Sequence, residues 1–194
     1  MIIIHVFTEE LSAKNVLDII LKKLLPEGVH YRIYPHQGKQ DLEKGLRTSL
    51  PSISKIPGSK VLITRDQDSG NCATVKSSIQ ELIQGNCHCE SIVRIACREL
   101  EAWFLGDLNA IKDAFPRFKP EHYSSTASFR NVDSIHQPNK YLLRVIPEYK
   151  SRTSLPKLSV SEKIAPYLDF DRNTSSSFNH TISAIRRLAE IDIE

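Results

Sequence analysis

The chain has 194 residues, of which 40% are hydrophobic and 25% charged. That balance fits one folded domain with an elaborated surface and excludes a chain too polar to bury a core. A net charge of +3 neither identifies nor excludes a nucleic-acid binder, because local patches decide, and no apolar run is long enough to cross a membrane.

Residues 2–7 (IIIHVF) read as a buried first strand, not a signal peptide, so a cytoplasmic setting is expected. Ser12 is the expected N-cap of a helix that places Val16, Leu17, Ile20, Leu21, Leu24 and Leu25 at helical spacing. Pro26 and Gly28 stop it, and residues 29–34 alternate as a second strand. A polar turn with His36, Gln37 and Lys39 follows, then a short helix from Asp41 through Leu50 and a loop over PSISKIPGS. Residues 61–64 form a third strand, residues 74–83 a helix, and residues 92–97 a fourth strand. The segment ELEAWFLGDLNAIKDAF reads as helix weakened at Gly106, with Trp103, Phe104 and Leu108 packing on the sheet.

This alternation predicts an α/β fold, a mostly parallel sheet flanked by helices over residues 1–115. Residues 116–194 read as an irregular, partly helical appendage packed on that core, with a last helix over 180–191. With no export signal the four cysteines are expected as reduced thiols, and Cys87-His88-Cys89 has poor spacing for zinc.

Three acidic clusters follow strand-like runs: Glu9-Glu10, Asp66-Gln67-Asp68 and Glu99-Leu100-Glu101. Carboxylates at one sheet edge repel one another unless a cation offsets them, and hard oxygen ligands suit Mg2+ or Mn2+. Asp66 and Asp68 share a side if the chain stays extended; a solvated turn capped by Asp68 is the alternative. Glu9 is preferred over Glu10 as ligand or general base, since Glu10 also suits a helix start. Glu99 and Glu101 share a side in an extended chain but diverge by roughly 200° on a helix. Asp107 reaches the rim or is simply solvated. Lys14, Arg65, Arg94, Arg98 and Arg130 are candidate phosphate contacts. His5 reads as a satisfied interior histidine. In FRNVD, Arg130 suits phosphate, while Asn131 and Asp133 suit closing the appendage.

The stretches VFTEELSAKNV, HQGKQDL, LITRDQDSGNC, VRIACRELEAWFLGD, AFPRF, FRNVD and FDRNTSSSF together resemble the DUF4276 family, whose fold looks like a Toprim domain. The resemblance implies magnesium-dependent phosphodiester chemistry, with Glu9 as the first acidic position and Asp66 and Asp68 as the Asp-x-Asp pair. Glu99 and Glu101 match an acidic pair that completes a second metal position. Glu10 replaces the glycine of the usual Glu-Gly pair. The resemblance also implies an accessory nuclease working with an ABC/AAA-type ATPase in bacterial anti-phage defence. The leading expectation is therefore a metal-dependent nuclease, with nucleic acid and an ATPase as partners and a homodimer allowed. The rivals are a non-catalytic regulatory subunit and a phosphatase or nucleotidyl-transfer enzyme.

Overall fold

A computed structural model describes residues 1–191. Strands β1 (Ile2–Thr8), β2 (Val29–Pro35), β3 (Ser59–Asp66) and β4 (Ser91–Ala96) form one sheet in the order β2-β1-β3-β4, and every pairing is parallel. Helices α1 (Leu11–Leu24), α2 (Lys39–Ile53) and α3 (Cys72–Gln84) connect successive strands. The result is an α/β arrangement consistent with a Toprim-like fold. Parallel crossovers bring all four strand ends to one edge, where ligands of open α/β sheets bind.

The pleat sorts the core. Ile4, Val6, Leu62 and Ala96 face one cluster with α1, while Phe7, Val61, Ile63, Val93 and Ile95 face the other with α2 and α3. The first cluster continues without a break through α4 (Glu101–Leu105) and α5 (Leu108–Ala114). It then takes in α6 (Pro138–Val145), α7 (Lys157–Ile164) and α8 (Ser176–Leu188). Residues beyond 115 therefore share the hydrophobic core of the sheet.

Several sequence expectations need correction. Glu10, not Ser12, is the N-cap of α1, and Ser12 lies buried inside the helix. Helix α2 runs on through Pro51 to Ile53, so the expected loop shortens to residues 54–58, which turn at Gly58 with φ 77°. Gly106 does break the 99–115 helix, into α4 and α5, and buried Asp107 caps α5 by accepting the Ala110 N–H at 3.1 Å. Asp107 is thus neither rim nor solvated: Arg172 grips it at 2.8 and 2.9 Å. In the polar segment around Asn173 burial alternates, with Asn173, Ser175 and Ser177 almost fully enclosed and Thr174 and Ser176 exposed. The last helix begins at Ser176 and ends at Leu188; of the expected 180–191 span, the described end is not helical.

Candidate functional site

The carboxyl edge of the sheet carries the acids, but the pleat divides them. Thr8 and Asp66 end β1 and β3 on even positions, which point toward α1. Arg65 points to the opposite side and reaches Glu43 of α2 at 3.2 Å. Glu9 follows it there, with its carboxylate 3.7 Å from the Arg65 guanidinium. Glu9 also accepts the Asp66 N–H at 3.3 Å. Burial, and then the nearby charge of Asp68, raise the Glu9 pKa.

On the α1 side, Glu10, Asp66 and Glu101 surround an ammonium that the sequence reading did not include. Lys157, the first residue of α7, lies 3.1 and 3.3 Å from the Glu10 carboxylate and 3.8 Å from Glu101 Oε1. Ser12 donates a further hydrogen bond to Glu10 at 3.1 Å. Burial drives the Asp66 pKa well up, and Glu101 adds to it by repulsion. Burial likewise pushes Glu101 up to about 7, against the pull of Lys157. Burial works against the Lys157 charge, but Glu101, Glu10 and Asp66 outweigh it and raise its pKa. Glu101 Oε2 is buried without a hydrogen-bond partner. An orphaned carboxylate oxygen is costly and marks a place where a ligand, water or ion completes the site.

The remaining acids diverge for backbone reasons. Beyond β3 the chain turns, with Asp68 left-handed at φ 54°, so Asp66 and Asp68 do not share a side as in the extended alternative. Asp68 instead opens into a cleft with Arg98 and Glu99. Arg98 is itself left-handed at φ 62°, and the chain reaches α4 only at Glu101. Glu99 and Glu101 therefore separate: Glu101 goes into the core, whereas Glu99 accepts the Asn139 N–H of α6 at 2.9 Å.

The proposed phosphate cations also divide. Arg65 and Arg98 stand at the edge. Lys14 lies one turn from Asp18, whose carboxyl it helps to lower after Lys22 and Tyr31. Arg94 sits within β4 and donates to the His180 carbonyl of α8 at 3.0 Å, so it belongs to that helix contact and not to the edge. Arg130 is exposed on a short 3-10 turn, while Asp133 from the same FRNVD stretch accepts from Ser175 and Ser177 at 2.7 Å. Asp133 thus ties two parts of the appendage to each other, not the appendage to the sheet. His5 is satisfied between Tyr34 and Ser59 at 3.0 and 3.2 Å, and His36 bonds the Thr8 carbonyl at 3.1 Å. Trp103 and Phe104 are buried core residues, and all four cysteines are free thiols.

The donor set matches a hard divalent cation in chemistry: the ligands are oxygens, and the Glu101 oxygen is orphaned; the raised pKa values of Glu9, Asp66 and Glu101 come first from burial. In placement, no group of three potential ligands converges on one point among the described residues. Lys157 supplies the compensating charge in this arrangement. No local pattern distinguishes it in sequence; only the surplus of acids at the edge called for a cation from elsewhere in the chain.

No curated protein and no solved structure is significantly similar to the chain. The family model described as a domain of unknown function (DUF4276) matches residues 8–186, which include every acidic cluster and Lys157. The chain belongs to the DUF4276 family.

Proposed function

We propose that the protein is a divalent-metal-dependent phosphodiester hydrolase acting on nucleic acid, an accessory nuclease to an ABC/AAA-type ATPase. The observation that carries this reading is the carboxylate group Glu10, Asp66 and Glu101 at the carboxyl edge of a parallel sheet, with Asp66 and Glu101 desolvated and Glu101 Oε2 unsatisfied. Asp66 and Glu101, with Glu10 on the same side of the sheet, would hold a Mg2+ or Mn2+ ion in place of the Lys157 ammonium. Such an ion supplies a water of lowered pKa and charge compensation at the phosphate. Glu9, whose pKa burial raises, would accept the proton of the attacking water. Arg98 binds the phosphate, and Arg65 holds Glu9 in place from the α2 side.

The test is cleavage of labelled DNA and RNA with Mg2+ or Mn2+, with and without the ATPase partner. Wild type is expected to cut, and the Asp66→Asn/Asp68→Asn double variant to lose at least about a hundredfold in rate while keeping its fold. Equal cleavage by the double variant, or no metal-stimulated cleavage in either setting, overturns the reading. A second reading draws on Lys157, which already offsets the edge charge. There the protein is a non-catalytic subunit whose acidic edge engages a basic surface of the ATPase. That reading predicts loss of ATPase binding by the same double variant, with no nuclease activity in either form.

A further inference from the structure

Beside the carboxylates lies a cleft of about 320 Å³, bounded by Asp68, Ser69, Arg98, Glu99, His136 and Gln137. Its floor continues the β3–β4 pairing past the strand ends. The Gln67 N–H donates to the Ala96 carbonyl at 2.9 Å, the Asp68 N–H to the Arg98 carbonyl at 2.8 Å, and the Arg98 N–H to Gln67 Oε1 at 3.1 Å. These three bonds tie the end of β3 to the end of β4. The far wall is fixed by Glu99, whose carboxylate holds the Asn139 N–H and so anchors the segment bearing His136 and Gln137. Three of the non-glycine residues with left-handed backbone, Asp68, Arg98 and Gln137, line this one cleft. Sparsely populated backbone gathers where a surrounding structure holds side chains to a task.

We propose that this cleft is a nucleotide subsite, seating the nucleotide next to the phosphate that is cut. The inference deepens the hydrolase reading and rests on it for the identity of the ligand. Arg98 supplies the fixed positive charge and suits a phosphate oxygen. His136 and Gln137 are exposed on the opposite wall and offer an aromatic face and an amide to a base. Two carboxylates also line the cleft: Asp68 stands toward Glu9, and Glu99 is partly satisfied by the α6 amide. Their remaining lone pairs accept from an exocyclic amino group, as carboxylates do with cytosine. A cleft of this volume has room for one nucleotide unit, and an unpaired nucleotide presents its base edge and face to such walls.

Fluorescence anisotropy with a fluorescein-labelled short oligodeoxycytidylate, in Mg2+ and at fixed low salt, tests the proposal beside the cleavage assay. The variants are Arg98→Asn, which tolerates the left-handed backbone, and His136→Ala at an exposed position. Each is expected to weaken binding roughly tenfold, the loss of one charge-assisted bond or one stacking contact. Cleavage by wild type with unchanged affinity in both variants overturns the subsite and leaves the hydrolase reading intact. Binding that both variants weaken, with no cleavage by wild type, sustains the subsite and removes the hydrolase. Absence of binding by wild type overturns the subsite outright.

Discussion

Glu101 concentrates the physics of the edge in one side chain. It is 1% exposed, and its pKa is pushed up to about 7 from an ordinary 4.5, by burial first and against the attraction of Lys157. Because the folded carboxyl keeps its proton to higher pH than the unfolded one, the native state binds more protons between about pH 4.5 and about pH 7. Stability due to this group therefore falls as pH rises through that window and stays low above it. Glu101→Gln is expected to flatten this slope and to stabilise the protein at about pH 8 by a few kcal/mol, with little change at about pH 4. Thermal unfolding of both proteins across pH reads the difference; parallel curves would show that Glu101 is ionised without penalty. Lys157 stands opposite it and is 31% exposed, so part of its attraction is screened. Lys157→Met is expected to lower stability by about 1–2 kcal/mol at about pH 8, where its partners are charged, and by less at about pH 5. A loss independent of pH would assign Lys157 a packing role only.

At the scale of elements, the junction between α4 and α5 decides how the appendage is seated. Gly106 lies there because a Cβ would come within 2.2 Å of Asn173 Oδ1 and 2.8 Å of the Ser175 nitrogen. Asn173 cannot swing aside freely: it donates to the Trp103 carbonyl at 2.8 Å and accepts the Ser175 N–H at 2.9 Å. Gly106→Ala is accordingly expected to cost about 1–3 kcal/mol in denaturant unfolding, as overpacking does. A neutral result would show that the 173–175 turn yields. The strands were legible because β1 and β3 carry apolar runs buried on both faces and β4 a mostly apolar run, and helix periodicity located α1 and α3. The N-cap of α1 was not, because Glu10 caps through backbone geometry and makes no side-chain bond to the helix amides. The divergence of Asp66 from Asp68, and of Glu99 from Glu101, was also hidden: it turns on left-handed Asp68, a type that adopts this backbone in only a minority of cases, and on left-handed Arg98, which gives no warning of it. The Lys157 contact joins positions 147 residues apart from Glu10, a separation no local pattern encodes.

For the whole molecule, a division at residue 115 is one of sequence character more than of packing. Ile4, Val6 and Leu62 of the sheet share a hydrophobic cluster with Val160, Ile164, Phe178 and Ile185. A chain of residues 1–115 alone is expected to lack cooperative unfolding, since that cluster would lie open to water; a sharp thermal transition in the truncated chain would contradict this. The same packing brings Lys157 to the acidic edge, so the extension completes the charge balance of the site. The proposed hydrolase requires this edge to take a divalent cation in place of that balance. Calorimetric titration of Mn2+ at about pH 7.5 into wild type, Asp66→Asn and Lys157→Met is the test. Saturable binding by wild type is expected, with loss of that binding in Asp66→Asn and tighter binding in Lys157→Met. Wild type that takes up no Mn2+, or Asp66→Asn that binds it equally well, would remove the cation from the proposal.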